Sequence, residues 1–115
     1  MDKDAASLWD MYQALLKIEK FTRNLTRDHY ESDDLVQSAV ERQFEILGEA
    51  ARRVSEKFKD AHPDIPWRNL IGQRNVIAHQ YDKIDHERLW VTIKTSCPQI
   101  LETLEAVISQ LKKGI

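Results

Sequence analysis

The chain has 115 residues, of which 42% are hydrophobic and 31% charged, with only three glycines and three prolines. That length sets a single domain, 1–115, with one core, and the shortage of chain breakers argues against a disordered or all-β protein. A net charge of −2 rules out binding nucleic acid through the overall field, so any such contact needs a local basic patch. Candidate patches are Arg23 with Arg27, the run Arg52, Arg53, Lys57 and Lys59, and Arg68 with Arg74. A lone cysteine, Cys97, leaves no internal disulfide, fits a reducing compartment and reads as core. The start Met1-Asp2-Lys3-Asp4 carries no apolar leader, and no apolar run approaches the roughly 18 residues of a membrane span. The expectation is a cytoplasmic protein without membrane contact.

In chain order, a first amphipathic helix is predicted from about Asp4 to Arg27, carried by Leu8, Tyr12, Leu15, Leu16, Phe21 and Leu25 and widened by Trp9 and Ile18. Ser32 is the expected N-cap of a second helix, with Asp33 and Asp34 complementing its positive end. Val40, Phe44, Leu47, Ala51, Val54 and Phe58 carry that helix to about Asp60. Gly48 inside it costs about 1 kcal/mol relative to alanine; with Ala50 and Ala51 nearby it reads as the place where another helix crosses closely. Glu45 and Glu49, one turn apart, suit the clamping of an arginine better than acid–base work.

His62-Pro63-Asp64-Ile65-Pro66 breaks the chain, and Pro66 suits the first position of a third helix running toward His79, with Trp67 as anchor. Gln80-Tyr81-Asp82-Lys83-Ile84 is too polar to continue the stripe, so Tyr81 is expected to be accessible. Asp85 caps a fourth helix that buries Leu89, Ile93, Cys97, Ile100, Leu104 and Val107, kinked near Lys94 to Cys97 by Pro98. Lys112 and Lys113 suit its negative end. The whole reads as an all-α, up-and-down bundle of four to five helices.

The chemistry concentrates at Arg74-Asn75-Val76-Ile77-Ala78-His79-Gln80-Tyr81. Trp67, Leu70, Ile71, Ile77 and Ala78 share one helical stripe, and Arg74 sits in the middle of it. A guanidinium there needs a carboxylate, a phosphate or a wet cleft. Asn75 and His79, four apart, share an adjacent face. Arg74 and His79 stand about 140° apart around one ideal helix, so they meet if the helix ends and the ring swings back, or if two copies of the helix face each other. On the residues alone, a structural arginine held by Glu45 or Glu49 and an idle helix-end histidine remain open. His29, His62, His79, His86 and Cys97 show no zinc spacing, no glycine-rich phosphate loop is present, and no serine sits in a nucleophile elbow.

Arg-x-x-x-x-His-x-Tyr, here Arg74, His79 and Tyr81, resembles the signature of the HEPN superfamily, and specifically of the HepT toxins that pair with MntA, a minimal nucleotidyltransferase antitoxin. The resemblance extends to Leu8-Trp9-Asp10, to Glu45 through Arg53, to Ile65-Pro66-Trp67-Arg68 and to Leu89-Trp90 after Asp85. It implies a homodimeric HEPN-like toxin that cleaves RNA without a metal, with Arg74 and His79 as the working pair and Asn75 in support. Histidine suits either proton step, since its ordinary pKa near 6.5 populates both forms, and arginine suits the charge on a phosphorane. Tyr81 matches the residue to which the antitoxin attaches AMP, with ATP and Mg²⁺ bound on the antitoxin and no cofactor on this chain. Gln80 stands where family members often carry glycine, which bears on the turn between His79 and Tyr81. The alternative is a non-catalytic helical subunit that positions a nucleotidyltransferase.

Overall fold

Caps and prolines divide the apolar segments into seven α-helices and one 3₁₀ turn in the computed structural model, which describes residues 3–113. In chain order these are α1 (Lys3–Thr22), α2 (Arg27–Ser32), α3 (Asp34–Arg53), α4 (Glu56–Ala61), α5 (Trp67–His79), the 3₁₀ turn Tyr81–Lys83, α6 (His86–Lys94) and α7 (Ser96–Lys113). The all-α class is as expected. The four predicted segments correspond to α1, α3 with α4, α5, and α6 with α7. Met1 and Asp2, half of the start read above for a leader, lie outside the described residues. Among the described residues, no helix is long and apolar enough to cross a membrane.

Boundaries differ from the periodicity reading for identifiable reasons. The buried stripe of α1 is Leu8, Met11, Ala14, Leu15 and Ile18, at three- and four-residue steps; Tyr12 and Leu16 flank it and Phe21 faces solvent. The helix stops at Thr22, whose hydroxyl donates back to the Ile18 carbonyl at 2.8 Å, five residues before the expected end. There follows the short α2, started by Thr26 accepting from the His29 N–H at 3.1 Å and held by Tyr30, which is fully buried with its ring 5.4 Å from Trp90. Asp33, not Ser32, caps α3: its Oδ1 accepts from the N–H groups of Leu35 and Val36 at 3.1 Å, and those bonds hold its carboxyl below the usual range. Ser32 instead donates to the Asp28 carbonyl.

The second long segment breaks at buried Val54, which is extended at φ −67°, ψ 141°. Asp4 accepts from both the N–H of Ser55, at 2.9 Å, and its hydroxyl, at 2.6 Å, so a carboxylate on α1 sets the start of α4. Arg53 reaches Asp10 at 3.4 Å. The end of α3 therefore lies against the start of α1. At the opposite pole Lys94 donates to the Thr22 carbonyl at 3.2 Å, and back near the start of α1 Lys112 sits 5.7 Å over the Trp9 ring. Thus α1 runs antiparallel to both α3 and α7, as an up-and-down bundle requires. The kink expected near Lys94 to Cys97 is a break at Thr95, which places Pro98 in the first turn of α7, where its missing N–H costs nothing. Cys97 is buried, and burial pushes its thiol up to about 12, so it is a core residue and not a nucleophile.

Helix α5 crosses α3 closely. A Cβ added at Gly48 would collide with the Arg74 Cβ and come within 2.7 Å of the Leu70 carbonyl oxygen, so the two backbones meet where α3 has no side chain. Leu70, Ile77 and Trp67 then bury against Leu47, Ala50 and Ala51 in one core. Gly48→Ala should destabilise the fold by about 1–3 kcal/mol from overpacking, measured by urea unfolding. A gain of about 1 kcal/mol, as helix propensity alone gives, would contradict this crossing.

Candidate functional site

Helix α5 is fixed at its start by aromatic packing. The Trp67 indole N–H donates to the His62 carbonyl at 3.0 Å, and Phe58 stacks on His62 at 4.1 Å and meets Trp67 edge-on at 6.0 Å. Pro66 occupies the cap position, one residue earlier than expected, and offers no side-chain cap. At the other end Gln80 closes the helix with its N–H on the Val76 carbonyl at 2.7 Å, and the Lys83 N–H bonds the Gln80 carbonyl at 2.7 Å. Asp85 then caps α6 as predicted, accepting from the Arg88 N–H at 3.1 Å. His79 is thus the last residue of a helix, and Tyr81 the first of the 3₁₀ turn beyond it.

Arg74 finds the carboxylate that its place in the stripe demanded. Its Nη2 lies 3.5 Å from Glu49 Oε2, and its Nη1 donates to Asn75 Oδ1 at 3.1 Å. The side chain is 28% exposed, so the guanidinium emerges at the edge of the α3–α5 seam. Glu49 also takes Arg52 at 2.7 Å and Arg53 at 3.8 Å. The Arg52 hydrogen bond first, then the charges of Arg52, Arg74 and Arg53, hold its carboxyl below the usual carboxylate range. Glu45, the other sequence candidate for this clamp, pairs with Arg42 at 3.9 Å.

His79 is exposed, and its ring makes no hydrogen bond or ion pair among the described residues. Tyr81 is 77% exposed. Because α5 continues unbroken through Arg74 and His79, the two leave its axis about 140° apart. Asn75 lies between them on the helix surface and draws the guanidinium toward the histidine side, so its amide is engaged with arginine and not with the imidazole. The chain therefore presents a held cation on one flank of α5 and an exposed imidazole on the outer face.

Sequence reasoning missed two features. Glu41 and His86 face each other at 3.7 Å beside Tyr30; burial raises the Glu41 pKa against the opposing charge of His86. Their meeting is a tertiary contact between α3 and α6 that no local spacing announces. The basic patches also fare unevenly. Arg23 pairs with Glu19, Arg27 with Glu31 and Glu87, and Arg52 and Arg53 with Glu49, which cancels much of their field beyond a Debye length. Arg68 keeps no acidic partner among the described residues. No group of three His, Cys, Asp or Glu side chains able to hold a metal ion occurs among those residues.

The family model described as Ribonuclease HepT-like matches residues 11–107. The chain is similar to "Probable ribonuclease HepT" of Thermococcus cleftensis, 38% identical over 93 residues that cover 81% of this chain and 84% of that one. It is also similar to "Putative RNase MJ1380" of Methanocaldococcus jannaschii, 31% identical over 102 residues, 89% and 94% of the two chains. No solved structure matches.

Proposed function

Because the chain belongs to the HepT-like ribonuclease family, we propose that it is an RNA endonuclease, the toxin of a toxin–antitoxin pair, acting as a homodimer without a metal ion. The active site forms where two α5 helices face each other across their outer faces, each supplying Arg74 and His79. One observation supports this above the rest: the guanidinium is held in place by Glu49 and Asn75 while the imidazole on the same helix is exposed and unbonded. A core arginine built only for stability leaves the free histidine unexplained.

The chemistry follows from the groups. One His79 takes the proton of a ribose 2′-OH as that oxygen bonds to phosphorus. Arg74 offsets the charge that accumulates on the phosphorane, for which its planar, permanently charged fork is suited. The second His79 gives a proton to the 5′ oxygen as its bond to phosphorus breaks. Asn75 keeps the guanidinium oriented. In the resting protein Glu49 occupies the place of the phosphate, so substrate must compete with one carboxylate for the arginine.

Tyr81 is the proposed point of control. An MntA-like nucleotidyltransferase, holding ATP and Mg²⁺ on its own surface, attaches AMP to the exposed phenol. Each AMP adds volume and negative charge two residues from His79, which excludes RNA sterically and by repulsion. The net charge of −2 favours the second reading, a helical subunit that only binds such an enzyme.

Purified protein should cleave RNA in excess chelator, and His79→Ala should slow cleavage by about 10² to 10⁴. Equal cleavage by both would mark contamination and favour the binding subunit. Protein co-expressed with its neighbouring nucleotidyltransferase should gain mass in AMP increments on Tyr81, seen by peptide mass spectrometry; modification confined to other residues would contradict the control scheme.

A further inference from the structure

Six of the eight arginines, Arg23, Arg27, Arg42, Arg52, Arg53 and Arg74, make ion pairs with carboxylates. The remaining two, Arg68 and Arg88, have no acidic partner among the described residues, and both line the same groove, about 510 Å³ in volume, between α5 and α6. Lys83, also unpaired, lines it from the 3₁₀ turn. The one acid in the lining is Asp85, whose Oδ1 is engaged in capping α6. In a chain of net charge −2, the uncompensated guanidinium groups are gathered in one concavity.

Gly72 provides a second, independent sign. A Cβ added there would meet nothing within 4 Å, so no packing within the chain calls for glycine in the middle of α5, where alanine makes a better helix. Unlike Gly48, it borders open space, and that space is the groove. The missing side chain lets a ligand approach the helix backbone. The α5 and α6 walls add Asn69, Gln73 and Thr92, neutral hydrogen-bonding groups that suit phosphate and ribose oxygens without repelling them. No aromatic side chain lines the groove, so bases have no stacking platform and the backbone is what can be read.

We infer that this groove binds the sugar-phosphate backbone of single-stranded RNA and leads it to the proposed cleavage site. The inference rests on the nuclease reading for what the strand is there to do. Placement agrees: Val76 lines the groove one turn before His79, and Lys83 lines it two residues after Tyr81. A single strand suits the chemistry as well, since its backbone can swing the 2′ oxygen into line with the departing 5′ oxygen, which a duplex resists. AMP on Tyr81 would then also place its phosphate beside the Lys83 end of the groove.

The test is binding of a fluorescent 2′-O-methyl oligonucleotide, which lacks the nucleophile, followed by anisotropy at several salt concentrations. Combined Arg68→Gln and Arg88→Gln should weaken binding about tenfold and lower the slope of log affinity against log salt by about 1.4, from roughly 0.7 per lost phosphate contact. Arg23→Gln with Arg42→Gln removes the same charge from paired, exposed positions and should change neither. Equal losses in the two double variants, or unchanged binding in the groove variant, would overturn the inference. Tight competition by AMP at micromolar concentration would likewise replace the strand with a nucleotide. If His79→Ala still cleaves RNA while the groove variant loses binding, the groove stands and the catalytic reading falls; normal binding by the groove variant beside an inactive His79→Ala does the reverse.

Discussion

The close crossing of α5 over α3 at Gly48 is the constraint on which the rest of the structure depends. It brings the stem of Arg74 against bare backbone, so an arginine can stand in the middle of an apolar stripe without opening a cavity. The guanidinium then reaches Glu49, one residue along α3, and Asn75, one residue along α5. A side chain at position 48 would push the helices apart and carry the cation away from both. Burying a charge is tolerated here because the charge is only partly buried and is met by a carboxylate and an amide.

From that crossing the two ends of α5 acquire different characters. The start is locked by Trp67, Phe58 and His62 into a rigid aromatic seat, whereas the end releases His79 and Tyr81 to solvent across a single 3₁₀ turn. Rigid support beneath exposed reactive groups is what a site needs if it is to keep its geometry while admitting a large substrate. Charge is arranged with the same economy: most arginines are matched locally, and the two without an acidic partner among the described residues line the groove between α5 and α6.

Much of this was legible in the sequence. The third helix, its anchor at Trp67, its end at His79, the Asp85 cap, an interruption ahead of Pro98 and a clamp on Arg74 by Glu45 or Glu49 all follow from local rules about periodicity, capping and buried charge. The resemblance to HepT toxins pointed to the family to which the chain belongs. What was not legible depended on partners distant in sequence. Asp4 ends the second segment by capturing Ser55; Trp90 helps to hold the six-residue α2 through Tyr30; and burial by α3 and α7 shifts the stripe of α1 toward Met11 and Ala14. Arg68 was read as half of a basic patch with Arg74, but its meeting with Arg88 in one groove was hidden for a related reason, although a signal existed. Arg23, Arg27, Arg42, Arg52 and Arg53 each have a glutamate three or four residues away along the chain. The only acid so spaced from Arg68 is Asp64, which lies ahead of Pro66 and outside α5, and the only one for Arg88, Asp85, is engaged as a cap.

The central claim is that one subunit carries Arg74 and His79 on diverging faces, so that a complete site forms only between two copies and draws an imidazole from each. The most direct measurement mixes wild-type protein with an excess of His79→Ala protein under conditions that allow subunit exchange, and follows RNA cleavage. The account predicts that cleavage falls below what dilution alone gives, because each mixed dimer holds one imidazole where the mechanism uses two. A mixture that exchanges subunits, as shown by native mass spectrometry, and yet keeps the full cleavage of its wild-type protein would contradict it.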